Sequence, residues 1–229
     1  GQGHAPRLLD TVLDLVRAFS AEARLPAWSS AVRLPGEAEL EQLIKKDVAA
    51  IERAEARVSR RRVDLVGLQR KKYLVTAKGT ALESTTAAAL AAIGFAVEPG
   101  EPGRTDLVVR LGRRTAVVEV KGKTKGAAER DVAQAAKWVH SYFADHQTRA
   151  KGVLVVNGWM SKPLSDRPPV FAGQLLKYAT EQSLCLISGE QLLRLWIDAI
   201  ERPASVPAAA RAILRTVGVF DGPGLGGLT

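Results

Sequence analysis

Asp106 and the run Glu119-Val120-Lys121 are the residues of this chain whose types and spacing can do chemistry. Two facing carboxylates repel unless a cation sits between them, and Asp, Glu and a nearby Lys together make a divalent-metal site. Whether they meet depends on one short connection. Residues 105–121 read as two β-branched, alternating runs around Gly112-Arg113, and glycine at the first central position suits a two-residue type II′ turn. That turn sets Asp106 opposite Glu119, where cross-strand Cβ atoms lie roughly 5 Å apart. Lys121, two residues on, returns to the same face. Leu107, Val109, Leu111, Ala116, Val118 and Val120 share the other face, an apolar surface for a core. A three-residue loop would shift the register and part the carboxylates.

The surrounding elements must hold this hairpin. Residues 80–92 read as a helix ending at Gly94, where a C′ glycine belongs. A short strand over 95–98 and a turn-rich connection over 99–103 lead into the hairpin. The spacing predicts a helix over 127–145. The apolar run 152–156 predicts a buried central strand. A loop rich in proline and charge (157–169), a helix near 171–182, a strand over 184–188 and a helix near 189–200 follow. Pro203 and Pro207 break the chain before a last helix near 208–217. The glycine-rich tail from Gly222 is expected to be mobile. The expected fold class is α/β, a central mixed β-sheet with helices on both faces, preceded by an α-helical N-terminal region.

That N-terminal region has its own pattern. Residues 7–23 read as an amphipathic helix, and from about Glu37 toward Tyr73 apolar residues recur every three or four positions. Two readings stay open: a helical hairpin with the first helix, or a coiled segment that docks a partner or makes a homodimer. The expected division is therefore a helical region over 1–75, an α/β domain over 76–201, and a C-terminal helix and tail over 202–229.

Composition sets outer bounds. The chain has 229 residues, of which 46% are hydrophobic and 25% charged, enough for one sizeable domain with a smaller helical appendage. No apolar run reaches the roughly 20 residues that span a bilayer, and no signal peptide is evident, so no membrane partner and a cytoplasmic setting are expected. The chain starts Gly1-Gln-Gly-His4 without a Met, as a processed chain or a fragment would. Its single cysteine, Cys185, excludes an internal disulfide and any multi-cysteine zinc site, and reads as a buried apolar residue. A net charge of +9 is compatible with a polyanionic partner. Arg60, Arg61, Arg62, Arg70, Lys71 and Lys72 stand against the single acid Asp64; they are either a solvated helix face or phosphate contacts. His140 and His146 have no second histidine at ligand spacing and read as solvated. Trp138, Trp159 and Trp196 read as packing residues. No phosphate-binding glycine loop and no nucleophile elbow occurs.

Residues 79–156 resemble the restriction-endonuclease-like superfamily, the PD-(D/E)XK nucleases, with the closest likeness to the Mrr-like and resolvase-like branches. The pieces that carry it are the helix with Glu83, Gly94-Phe95, Gly103-Arg-Thr-Asp106, Val118-Glu-Val-Lys-Gly122 and the helix with Gln134. Thr105 stands where the name-giving motif has proline. The resemblance implies a restriction-endonuclease-like core and a metal-dependent nuclease acting on nucleic acid, DNA rather than RNA. It implies that Asp106 and Glu119 hold Mg²⁺ or Mn²⁺, with the Val120 carbonyl as a further ligand and Lys121 orienting the attacking water. Glu83 would hold the metal or its waters, or else is simply solvated. Gln134 would approach the site, or else lies on a polar helix surface. Lys123 and Lys125, which follow the catalytic strand, and Arg104, opposite Lys121 in the derived register, would contact substrate phosphates or are ordinary surface cations. The alternative is a catalytically inactive member of the same fold, a module for nucleic-acid binding or protein interaction. A third reading makes residues 37–73 the functional part.

Overall fold

A computed structural model describes residues 11, 16, 26–101 and 103–222. The chain divides into two compact units, Gly1–Arg61 and Arg62–Thr229. In the first, the helix expected over 7–23 lies outside the described residues except for Thr11 and Val16, which are helical. Helix α1 (Glu37–Arg70) runs for 34 residues from the first unit into the second and includes no buried residue. Its entry is organised by Glu37, whose carboxylate accepts the Leu34 N–H at 3.0 Å. Acidic residues in its first turn and Arg70 in its last complement the helix dipole.

The second unit is built on a six-stranded sheet whose spatial order equals its chain order. Strands β1 (Ala96–Pro99), β2 (Leu107–Leu111) and β3 (Arg114–Gly122) form an antiparallel meander. Gly112 adopts a φ of 59°, the left-handed conformation required of the first residue in this turn and free of strain only for glycine. Leu111 therefore faces Arg114 and Leu107 faces Val118, the register expected from the two-residue turn. Strands β4 (Lys151–Asn157), β5 (Cys185–Ser188) and β6 (Gly218–Val219) extend the sheet in parallel. The last of these was not expected.

Helices cover both faces. Besides the single turn α2 (Tyr73–Thr76), the unit holds α3 (Thr80–Ala92), α4 (Glu129–His146), α5 (Gln174–Glu181), α6 (Gly189–Glu201) and α7 (Val206–Arg215). Ala116, Val118, Val120, Val153, Val155, Cys185 and Ile187 form one core with residues of α3, α6 and α7. Leu154, Val156, Leu184 and Leu186 form a second with α4 and α5. Successive side chains of a strand alternate between faces, so this partition puts Glu119 and Lys121 on the α4 side. Cys185 is fully buried, and burial pushes its thiol up to about 12. Among the described residues no helix is long and apolar enough to cross a membrane.

The expected divisions at 75/76 and 201/202 both fall inside this unit. Leu74 and Val75 are buried in the first core, as are Ala210, Ile213 and Leu214 of α7 and Phe220 beyond β6. A four-residue turn such as α2 carries no periodicity to betray its burial. The apolar stripe of α7 covers one face of the sheet instead of closing a separate appendage.

Candidate active site

The backbone ladder between β2 and β3 stops at Leu107 and Val118. One residue earlier, the Asp106 side chain takes over the pairing: its Oδ2 accepts the Val120 N–H at 2.7 Å. Thr105, buried where the motif has proline, donates its hydroxyl to the Val118 carbonyl at 2.9 Å. A proline offers no such donor. These two bonds clip the 105–106 segment across β3 and hold the Asp106 carboxylate beside it. Glu119 projects from the middle of β3 and is 1% exposed. Lys121 makes an ion pair with its Oε1.

The electrostatics of this group are unbalanced. Burial, then the charge of Asp106, raises Glu119 from 4.5 to about 7, against the opposing pull of Lys121 and the Trp138 indole. Asp106 is raised as well, by burial above all, with the Val120 N–H and Lys121 opposing. Glu83, half-buried on the first turn of α3, is raised by burial and by Asp106 and lowered by Lys121. Burial pulls Lys121 down, yet Glu119, Asp106 and Asp131 together raise it. One ammonium is thus shared among several carboxylates, all of which would gain from more positive charge.

Glu119 supplies the test of whether a metal fits. Neither of its oxygens has a hydrogen-bond partner of proper geometry, although the Lys121 ammonium stands against one of them. That contact is a charge pair without hydrogen-bond alignment. A buried carboxylate without donors is costly. The available oxygens of Asp106, Glu119 and the β3 backbone are hard ligands suited to Mg²⁺ or Mn²⁺. The residues therefore fit such an ion, although no group of three or more acidic, histidine or cysteine side chains converges at metal-binding distance among the described residues. Two carboxylates must be completed by backbone or water oxygens.

The remaining expected residues are arranged differently from one another. Gln134 is half-buried on α4, on the same helical stripe as Asp131 and Trp138. Lys123 is not a free cation: it forms an ion pair with Asp131, which also accepts the Ala128 N–H at 2.7 Å and so caps α4. Arg104 does not face Lys121, because the ladder has ended; it pairs with Asp145 near the end of α4 and with Glu101 at 3.4 Å. Lys125 is exposed. Arg60, Arg61 and Arg62 are exposed on α1. His140 uses Nδ1 on the Ala136 carbonyl of its own helix, and the His146 ring packs at a tilt against Tyr142.

Several supporting residues escaped the sequence reading. The buried indole N–H of Trp138 is directed at the Glu119 carboxylate and lowers its pKa, although it closes no hydrogen bond of proper geometry, a role hidden by its reading as packing. Its four-residue spacing from Gln134 was the available signal. Arg167 donates to the Val75 carbonyl at 2.8 Å and to Asn157 Oδ1 at 3.2 Å, and Asn157 donates to the Ala77 carbonyl at 2.8 Å. This network ties the lead-in to α3, and hence Glu83, to the end of β4. Gly122 makes the approach possible: a Cβ there would lie 2.5 Å from Lys78 Cβ and 2.6 Å from its Cα.

No family model matches the chain, and no curated protein matches it significantly. Similar solved structures include the restriction endonuclease FokI, with 13% identity and a TM-score of 0.46 over 61% of this chain. The same enzyme bound to DNA has 12% identity and a TM-score of 0.49 over 67% of this chain. The chain spans under a third of the length of those proteins, 28% and 30%. Both likenesses are partial.

Proposed function

We propose that the chain is a metal-dependent endonuclease of the PD-(D/E)XK kind, hydrolysing phosphodiester bonds in DNA. One observation carries the reading: Asp106, Glu119 and Lys121 converge at β3, with Glu119 buried and neither of its oxygens in a hydrogen bond of proper geometry. Asp106 and Glu119 would hold Mg²⁺ or Mn²⁺, with the Val120 carbonyl as a further ligand. Such an ion, when bound, polarises a phosphoryl oxygen and lowers the pKa of a coordinated water.

The chain's own groups do the rest. The Lys121 ammonium would orient the attacking water and stabilise the charge that grows on the phosphate. Glu83 would hold a water of the cluster, and Gln134 would approach the substrate from α4. Lys125 would contact a backbone phosphate directly. Arg104 and Lys123 would do so only by leaving Asp145 and Asp131. Arg60, Arg61 and Arg62 form an exposed basic run suited to the same polyanion. A cytoplasmic setting belongs to this reading, since the only cysteine is a buried thiol.

The test is incubation with supercoiled plasmid, single-stranded DNA and RNA in Mg²⁺ or Mn²⁺, with Glu119→Ala as the control. Cleavage of the DNA substrates that disappears in the variant and in EDTA is the expected result. Cleavage that survives EDTA would overturn it. A second reading is favoured by the Lys121–Glu119 ion pair, which already neutralises part of the cluster: an inactive module of the same fold that binds nucleic acid or protein. Calorimetric titration with Mn²⁺ separates the two, because the inactive module needs no metal at Asp106 and Glu119.

A further inference from the structure

Helix α1 carries an apolar seam with no partner among the described residues. Ile44, Ile51, Val58 and Leu65 recur at intervals of seven, and each is at least 39% exposed. A second row at the same interval contains Leu40, Asp47, Ala54, Arg61 and Leu68. Two rows offset by three and four residues are the a and d positions of a coiled coil, and β-branched residues in the first row suit a pair of helices. At ~1.5 Å per residue, the helix is about 50 Å long. That length presents four full heptads.

The charges decide which partner fits and which way it runs. In the first half of α1, Glu37, Glu39, Glu41, Asp47 and Glu52 outnumber Lys45, Lys46 and Arg53. In the second half, Arg57, Arg60, Arg61, Arg62 and Arg70 outnumber Glu55 and Asp64. A parallel pair would set each half against its own like charge and bring Asp47 and Arg61 against their twins within the seam. An antiparallel pair sets the acidic half against the basic half and draws Asp47 alongside Arg61 of the other copy. We infer that α1 is an antiparallel self-association surface whose occupant is α1 of a second copy of this chain. The inference does not rest on the nuclease reading.

Cross-linking and charge exchange in the full chain test it. The protein should sediment at twice its mass of 24.5 kDa at micromolar concentration. With a short bis-maleimide, Ala54→Cys should link to itself, since residue 54 lies near the centre of an antiparallel pair. Leu40→Cys and Leu68→Cys should link only when mixed. The native Cys185 is buried and does not compete. Asp47→Arg should weaken the dimer at least about tenfold, and adding Arg61→Asp should restore it. Far-UV circular dichroism of each variant controls for folding. Self-linking by Leu40→Cys would mean a parallel pair and overturn the inference. A monomeric wild type, as when the segment 7–23 of the same chain covers the seam, would overturn it too.

Discussion

Burial and the adjacent Asp106 carboxylate lift Glu119 to about 7, so between 4.5 and that value the folded chain holds a proton there that the unfolded chain has lost. The sign follows directly: between 4.5 and about 7 the folded state binds more protons, so stability falls as pH rises through this window. The cost above it is on the order of 3 kcal/mol. Glu119→Gln should flatten that part of the pH–stability profile, raise metal-free stability at pH 8 by about 2 kcal/mol, and abolish cleavage; denaturant unfolding across pH 4–9 measures it. Lys121→Met should reduce cleavage at least about a hundredfold while Mn²⁺ binding, followed calorimetrically, stays the same or tightens. Thr105→Val removes the hydroxyl that clips Asp106 to β3. It should cost about 1 kcal/mol in unfolding assays and lower cleavage about tenfold. The positions of Asp106, Glu119 and Lys121 were legible because hairpin pairing follows from turn length. Thr105 and Trp138 were not, because their parts depend on where one hydroxyl and one indole N–H point, which no periodicity encodes.

At the level of elements, the hairpin was readable in register but not in extent. Gly112 announces the turn, and alternation carries the pairing outward. Nothing in the letters tells where a side chain replaces the backbone, as Asp106 does at Val120. The longer helices and the apolar strand β4 were legible from 3.6-residue spacing and continuous hydrophobicity. The two-residue β6 and the single turn α2 fall below the length at which any period can be seen. Gly122 is similar: its place at the end of the motif strand was visible, the backbone of Lys78 packed against it was not. Gly122→Ala should therefore cost about 1–3 kcal/mol by forcing that backbone aside. It should lower cleavage beyond what lost stability explains, because the displaced segment leads into the helix of Glu83. Comparing activity with folded fraction at several temperatures separates the two effects.

At the level of the whole molecule, the folded unit starts before the expected boundary and ends after it. A chain starting at residue 62 should keep the melting behaviour of the α/β unit. A chain starting at 77 loses buried Leu74 and Val75 and the Arg167 anchor, and should be destabilised by about 2–5 kcal/mol; calorimetric melting of the two truncations decides this.

The sheet order has a further consequence. Each strand's neighbour in space is also its neighbour in the chain, so no strand needs to be threaded between two that are already paired. As the polypeptide leaves the ribosome, the meander can form first and expose a single growing edge. β4, β5 and β6 can then dock there in the order of their synthesis. The pairing that brings the two acidic residues together is the most local in the sheet, and it needs none of the parallel strands that enclose them.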